Sequence, residues 1–99
     1  MRLTDQQCQI IHRIIDQELG GGARVSLFGS RLDDQARGGD IDLLVEVDEP
    51  IERPAQLAAR LSVRVMRAMR GRKVDILLSA PNLQNLPIHD IAREQGVRL

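Results

Sequence analysis

Aromatic side chains are almost missing from these 99 residues: Phe28 stands alone, with no Tyr and no Trp. Binders of RNA loops and single strands stack bases on aromatic rings, so that route to nucleic acid is poorly served. Net charge is missing too. Fourteen Lys and Arg balance fourteen Asp and Glu, leaving no global field to draw the chain to nucleic acid or a membrane. The single cysteine, Cys8, excludes an intrachain disulfide and suits a reducing compartment. No run approaches the ~18 apolar residues of a membrane-spanning helix, and the first residues are polar and amphipathic rather than a signal peptide. No membrane association is expected, and the cytoplasm is the expected compartment. Residues 1–99 suffice for one domain and leave no room for a second.

What is present is unevenly spread. Between Asp33 and Glu52 stand eight acids against Arg37, whereas Arg53, Arg60, Arg64, Arg67, Arg70, Arg72 and Lys73 follow with no acid among them. An acidic segment followed by a basic one can hold a cation and a polyanion together. Two solvated faces of opposite sign account for the same pattern.

Periodicity supplies the elements. Thr4 and Gln7 have the spacing of a capping box, and Cys8, Ile11, Ile14, Ile15 and Leu19 recur at helical spacing. A helix is therefore predicted over 5–19, ended by Gly20-Gly21-Gly22. Arg24–Phe28 is a short strand, and Ser30–Arg37 is a polar stretch with room for a helical turn. From Asp40 to Val47 the residues alternate, with Ile41, Leu43, Val45 and Val47 on one side and Asp40, Asp42, Leu44 and Glu46 on the other. A helix over Ala55–Met69, a strand over Lys73–Leu78 and a short helix over Ile88–Glu94 follow. Gly96–Leu99 is a candidate edge strand. The order implies an α/β (α+β) domain, a small mixed sheet of three to four strands with helices packed on it.

The chemistry concentrates in three places. Gly29-Ser30 lies where a strand ends, and glycine there lets backbone approach a ligand. A following helical turn would turn its N–H groups toward an anion, although a serine-capped turn has the same sequence. Asp40 and Asp42, at i and i+2 of a strand, share a face roughly 7 Å apart. Asp75 interrupts the apolar run Val74–Leu78, where a buried carboxylate needs a partner. A salt bridge to Arg24 or Arg72 would satisfy it, and so would a metal. Three carboxylates make a hard oxygen cage suited to Mg²⁺.

Arg60, Arg64 and Arg67 form a basic stripe. It reads as a solvent-facing helix surface whose long stems shield apolar area, or as a contact for RNA or an acidic partner, so direct nucleic-acid binding stays open. His12 and His89 lack metal-ligand spacing and read as surface or helix-edge residues. Cys8, Met66 and Met69 read as core.

Gly29-Ser30-Arg31, then Gly39-Asp40-Ile41-Asp42-Leu43, then Val74-Asp75-Ile76 together resemble the nucleotidyltransferase superfamily typified by DNA polymerase beta. Within it the pattern is similar to the minimal nucleotidyltransferase (MNT) proteins, and element order and length match across essentially the whole chain. Gly39 stands where many members carry Ser or Thr, which removes one hydroxyl from the phosphate site. The resemblance implies two-metal nucleotidyl transfer. Asp40, Asp42 and Asp75 would be the catalytic and metal-binding residues, holding two Mg²⁺. Gly29, Ser30 and Arg31 would contact the phosphates of ATP as substrate.

The resemblance also implies a partner. MNT proteins of this size typically pair with a HEPN-type RNase toxin and act as its antitoxin, moving AMP from ATP to the toxin. The leading expectation is a protein adenylyltransferase of that kind, in complex with its partner. The alternatives are a non-catalytic module that neutralises its partner by occlusion, and transfer to a small molecule or RNA.

Overall fold

The computed structural model describes residues 3–29 and 41–99. Expectations for Ser30, Arg31 and Asp40 lie outside the described residues. Helix α1 spans Asp5–Leu19 and strand β1 Arg24–Phe28; strand β2 spans Ile41–Glu46 and helix α2 Pro54–Ala68. Strand β3 is Val74–Ser79, helix α3 Pro87–Gln95 and strand β4 Val97–Arg98. The sheet runs β3-β2-β1-β4, with β2 and β3 parallel and both neighbours of β1 antiparallel to it. The expected mixed sheet is borne out, and the Gly96–Leu99 segment supplies its fourth strand.

Local chemistry sets the helix ends. Thr4 Oγ1 accepts from the Gln7 amide at 3.1 Å while Gln7 Oε1 accepts from the Thr4 amide at 2.9 Å, the reciprocal box that satisfies two otherwise unpaired donors. Gly20 closes α1 in the left-handed region at φ 77°, a conformation that glycine adopts without strain. Helix α2 begins at Pro54 rather than Ala55, because proline's fixed φ and missing N–H suit the first helical position.

One face of the sheet is fully covered. Ile11, Ile14 and Ile15 of α1 and Leu57, Leu61 and Val65 of α2 pack with Val25, Leu27, Ile41, Leu43, Val45, Val74 and Leu78. The opposite face carries a much smaller cluster, Phe28, Leu44 and Ala92, with Leu77 packed against it. Among the described residues only the nine-residue α3 lies there. The expected core residues divide: Met69 is buried at 3% exposure, whereas Cys8 and Met66 are half-buried.

The basic stripe is largely a clasp. Arg60 Nε donates to Glu18 Oε1 at 2.5 Å and Arg64 Nη1 to Glu18 Oε2 at 2.9 Å, while Arg64 Nη2 reaches Gln17. Two of its three arginines thus tie α2 to α1, and Arg67 remains exposed. The Arg60 hydrogen bond, helped by Arg64 and opposed by burial, holds the Glu18 carboxyl below its ordinary value of 4.5. A carboxyl lowered by folding contributes stability that is complete above the unfolded value and is lost as pH falls through the folded one. Glu18→Gln is therefore expected to cost about 0.5–1 kcal/mol at neutral pH. Urea melts repeated at falling pH should show the gap between variant and wild type closing below the ordinary carboxylate range.

Candidate functional site

Strand pairing creates the site. In the parallel β2–β3 ladder Asp42 stands opposite Asp75, and directly opposed residues on neighbouring strands share a face. Alternation along each strand sends Ile41 and Leu43 into the large core and turns Asp42 and Asp75 to the face that α3 only partly covers. On the other side Phe28 opposes Asp42 in the antiparallel β1–β2 ladder, which brings Gly29 to the same end of the sheet. The structure thus brings together Gly29, Asp42 and Asp75, three of the six residues singled out in the sequence; the other three lie outside the described residues.

Gly29 has φ 78°, and a Cβ built on it would run into Asp42 Oδ2 and lie 3.2 Å from its Cγ. Glycine is needed twice over here, for the left-handed backbone and for the close approach to a carboxylate. Asp42 is half-buried and Asp75 exposed.

That exposure corrects the reading of Asp75 as a buried charge in need of a partner. Its strand is apolar on the core side, but Asp75 points to the opposite face and is exposed there, where water solvates it. Arg24, one expected counterion, instead forms a two-pronged pair with Asp48 at 3.1 and 3.3 Å. Its guanidinium pKa is raised by that hydrogen bond first and by the charge of Asp48 second.

Helix α3 defines the border of the site. His89, expected at the surface or a helix edge, stands in the first turn of α3 but is buried at 4% exposure, which corrects the surface reading. Its Nδ1 accepts from the Leu86 amide at 3.0 Å. The other ring nitrogen therefore carries the proton, and Nε2 donates to the Leu78 carbonyl at 2.9 Å. The ring caps α3 and fastens its start to the end of β3. Its signal in the sequence is its place two residues after Pro87, the third helical position, where a side chain can reach back to the cap amide. Further along, Arg93 donates to Glu46 Oε2 at 2.9 Å and Ser79 Oγ at 2.8 Å. Both partners lie at the ends of β2 and β3 remote from Asp42 and Asp75, so among the described elements α3 is held away from the carboxylate end of the sheet.

Such a site suits a hard cation. Two carboxylates on neighbouring strands, beside backbone that carries no Cβ, offer the oxygen ligands that Mg²⁺ prefers, with phosphate and water oxygens to complete its shell. Among the described residues no three His, Cys, Asp or Glu side chains group as metal ligands. Asp42 and Asp75 supply two, and Asp40 lies outside. A depression of about 480 Å³, lined by Gly20–Gly22 and Val47–Ile51, lies at the other end of the sheet and carries none of these carboxylates.

Compared with known families, residues 8–95 match the nucleotidyltransferase domain. The chain belongs to the nucleotidyltransferase domain family. The match runs from Cys8 in α1 to the last residue of α3, so it takes in Gly29, Asp42, Asp75 and the helix that borders them. No curated protein matches the chain. Nucleotidyl transfer is the general chemistry of such domains, and the mixed sheet with helices on it fits that fold. Among the described residues no helix is long and apolar enough to cross a membrane.

The double demand on Gly29 is measurable. Gly21 has a similar φ of 84° with nothing within 4 Å of its missing Cβ. Gly21→Ala should therefore show only the backbone penalty, about 1 kcal/mol. Gly29→Ala should cost about 1–3 kcal/mol more than Gly21→Ala in urea denaturation, and it should shift the Asp42 amide resonance.

Proposed function

We propose that this nucleotidyltransferase domain moves AMP from ATP onto a partner protein in a Mg²⁺-dependent reaction, and that the partner is a HEPN-type RNase toxin whose antitoxin it is. The observation that carries the transfer reading is the side-by-side register of Asp42 and Asp75, with Gly29 bared against Asp42, inside a chain of this family. The protein acceptor and the toxin–antitoxin pairing come from the similarity to minimal nucleotidyltransferases, whose chains have this length and element order.

In this reading Asp40, Asp42 and Asp75 hold two Mg²⁺, and Gly29, Ser30 and Arg31 contact the phosphates. When bound, the ions neutralise triphosphate charge and make the attacking hydroxyl more acidic. The protein's own part is positional. The strands fix Asp42 and Asp75, and glycine at position 29 lets the chain come close to the phosphates without a side chain in the way. The acceptor oxygen then bonds to the α-phosphorus, the bond from that phosphorus to the bridging oxygen breaks, pyrophosphate departs and the hydroxyl proton passes to solvent. Most of the rate is expected from orientation and charge stabilisation rather than from covalent work by the protein.

The decisive assay combines α-labelled ATP, Mg²⁺ and lysate of the source cell with wild type or Asp42→Asn. Label on one protein band with the wild type, lowered at least about a hundredfold in the variant, is the expected result. Label on RNA or a small molecule moves the acceptor class. A partner that co-purifies equally with both proteins and stays neutralised without any label overturns transfer in favour of occlusion.

A further inference from the structure

Helix α3 presents two different flanks. Its sheet-facing residues are His89 and Ala92, both buried. At 100° per residue, Arg93 falls about 70° to one side of that line and Ile88 about 70° to the other, with Gln95 and Ile91 on the Ile88 side. Arg93 reaches Glu46 and Ser79, the far ends of β2 and β3. On the same face of the sheet, Asp42, Leu44 and Glu46 follow one another along β2, and Asp75, Leu77 and Ser79 along β3, each step roughly 7 Å. Helix α3 sits over the middle row. The flank opposite Arg93 therefore borders the row of Asp42 and Asp75.

That flank is apolar where solvent would favour polar side chains. Ile88 and Ile91 are 43% and 45% exposed, one helical step apart, and Leu77 lies partly buried in the small cluster of Phe28, Leu44 and Ala92 beneath α3. Gln95, also exposed, ends the flank on the side of β1. On Arg93's flank, by contrast, Arg93 and Asp90 pair with each other at 3.2 Å.

We infer that the Ile88–Ile91 flank is the wall of a nucleoside subsite, taking the flat apolar face of the base of a nucleoside 5′-triphosphate whose phosphates lie at Asp42 and Asp75. It rests on the nucleotidyl-transfer reading above. One ligand then spans both chemistries of this corner: its charged end meets the carboxylate row with its cations, and its planar end covers aliphatic surface one row away. Dispersion and burial drive the second contact, which is why no aromatic residue is required. The only polar group on the flank, the Gln95 amide, offers both donors and an acceptor and suits the edge of more than one base.

The test compares ATP with inorganic triphosphate by calorimetric titration in Mg²⁺, for wild type and the double variant Ile88→Ser/Ile91→Ser. Both side chains are already more than two-fifths exposed, so the variant is expected to keep its fold, which its melting curve checks; Val63→Ser, on α2 at 39% exposure, serves as the control. Wild type should bind ATP more tightly than triphosphate. The double variant should lose about tenfold in ATP affinity with triphosphate affinity unchanged, and Val63→Ser should change neither. If wild type binds both ligands and the double variant binds ATP equally well, the subsite is wrong while the transfer reading stands. The same holds if only transfer to the acceptor falls, which would give the flank to the acceptor. If wild type binds neither ligand, the transfer reading itself fails and the subsite with it.

Discussion

The parallel register of β2 against β3 is the constraint on which the rest depends. It sets Asp42 beside Asp75, and a slip of one residue would send one of the two carboxylates into the large core. Parallel pairing requires a crossover, here α2, whose Leu57, Leu61 and Val65 also close the covered face. Backbone hydrogen bonds of 2.9 Å from Ile41 to Lys73 and from Val47 to Ser79 hold both ends of the ladder. Because Lys73 and Ser79 turn their carbonyls to β2, the alternate residues Val74, Ile76 and Leu78 turn theirs outward. Ser62 Oγ donates to the first of these carbonyls and His89 Nε2 to the last. The outer edge of the site strand is thus capped at both ends by side chains, which discourages pairing with another strand.

Unequal coverage of the two faces turns that register into a site. A sheet covered on both sides by long helices would bury Asp42 and Asp75 at a high desolvation cost. Here α1 and α2 supply most of the core, and α3 needs only nine residues to shield Phe28, Leu44 and Leu77. His89 and Arg93 pin that short helix at two points, which keeps it off the carboxylate row. Stability and openness are divided between faces, so neither is sacrificed to the other.

Much of this was legible in the sequence because it is local. The Thr4–Gln7 box, the glycines after Leu19 and the alternation from Ile41 to Val45 act over a few residues, and their elements fall where expected. The places of Asp42 and Gly29 were legible as well, since their spacing follows from one strand's end and the next strand's alternation; Asp40 lies outside the described residues. Non-local pairings were hidden. Nothing near Arg60 or Arg64 in the chain announces Glu18, more than forty positions away, so a clasp between helices looked like a free basic surface. Asp75 misled for the same reason: an apolar run suggests burial, but only the sheet pairing turns Asp75 away from the large core and leaves it exposed. His89 looked idle because both of its partners are backbone groups, Leu86 N–H and Leu78 C=O, which carry no sequence signal.

The proposed transfer requires Asp42 and Asp75 to act as one cation site. Titrating Mn²⁺, a spectroscopic substitute for Mg²⁺, and reading free ion by electron paramagnetic resonance shows whether they do. Wild type, Asp42→Asn, Asp75→Asn and the double variant complete the cycle. If both carboxylates hold the same ion, each single change removes most of the affinity and the double change adds little. Affinity that survives either single change, or losses that simply add, would contradict the claim.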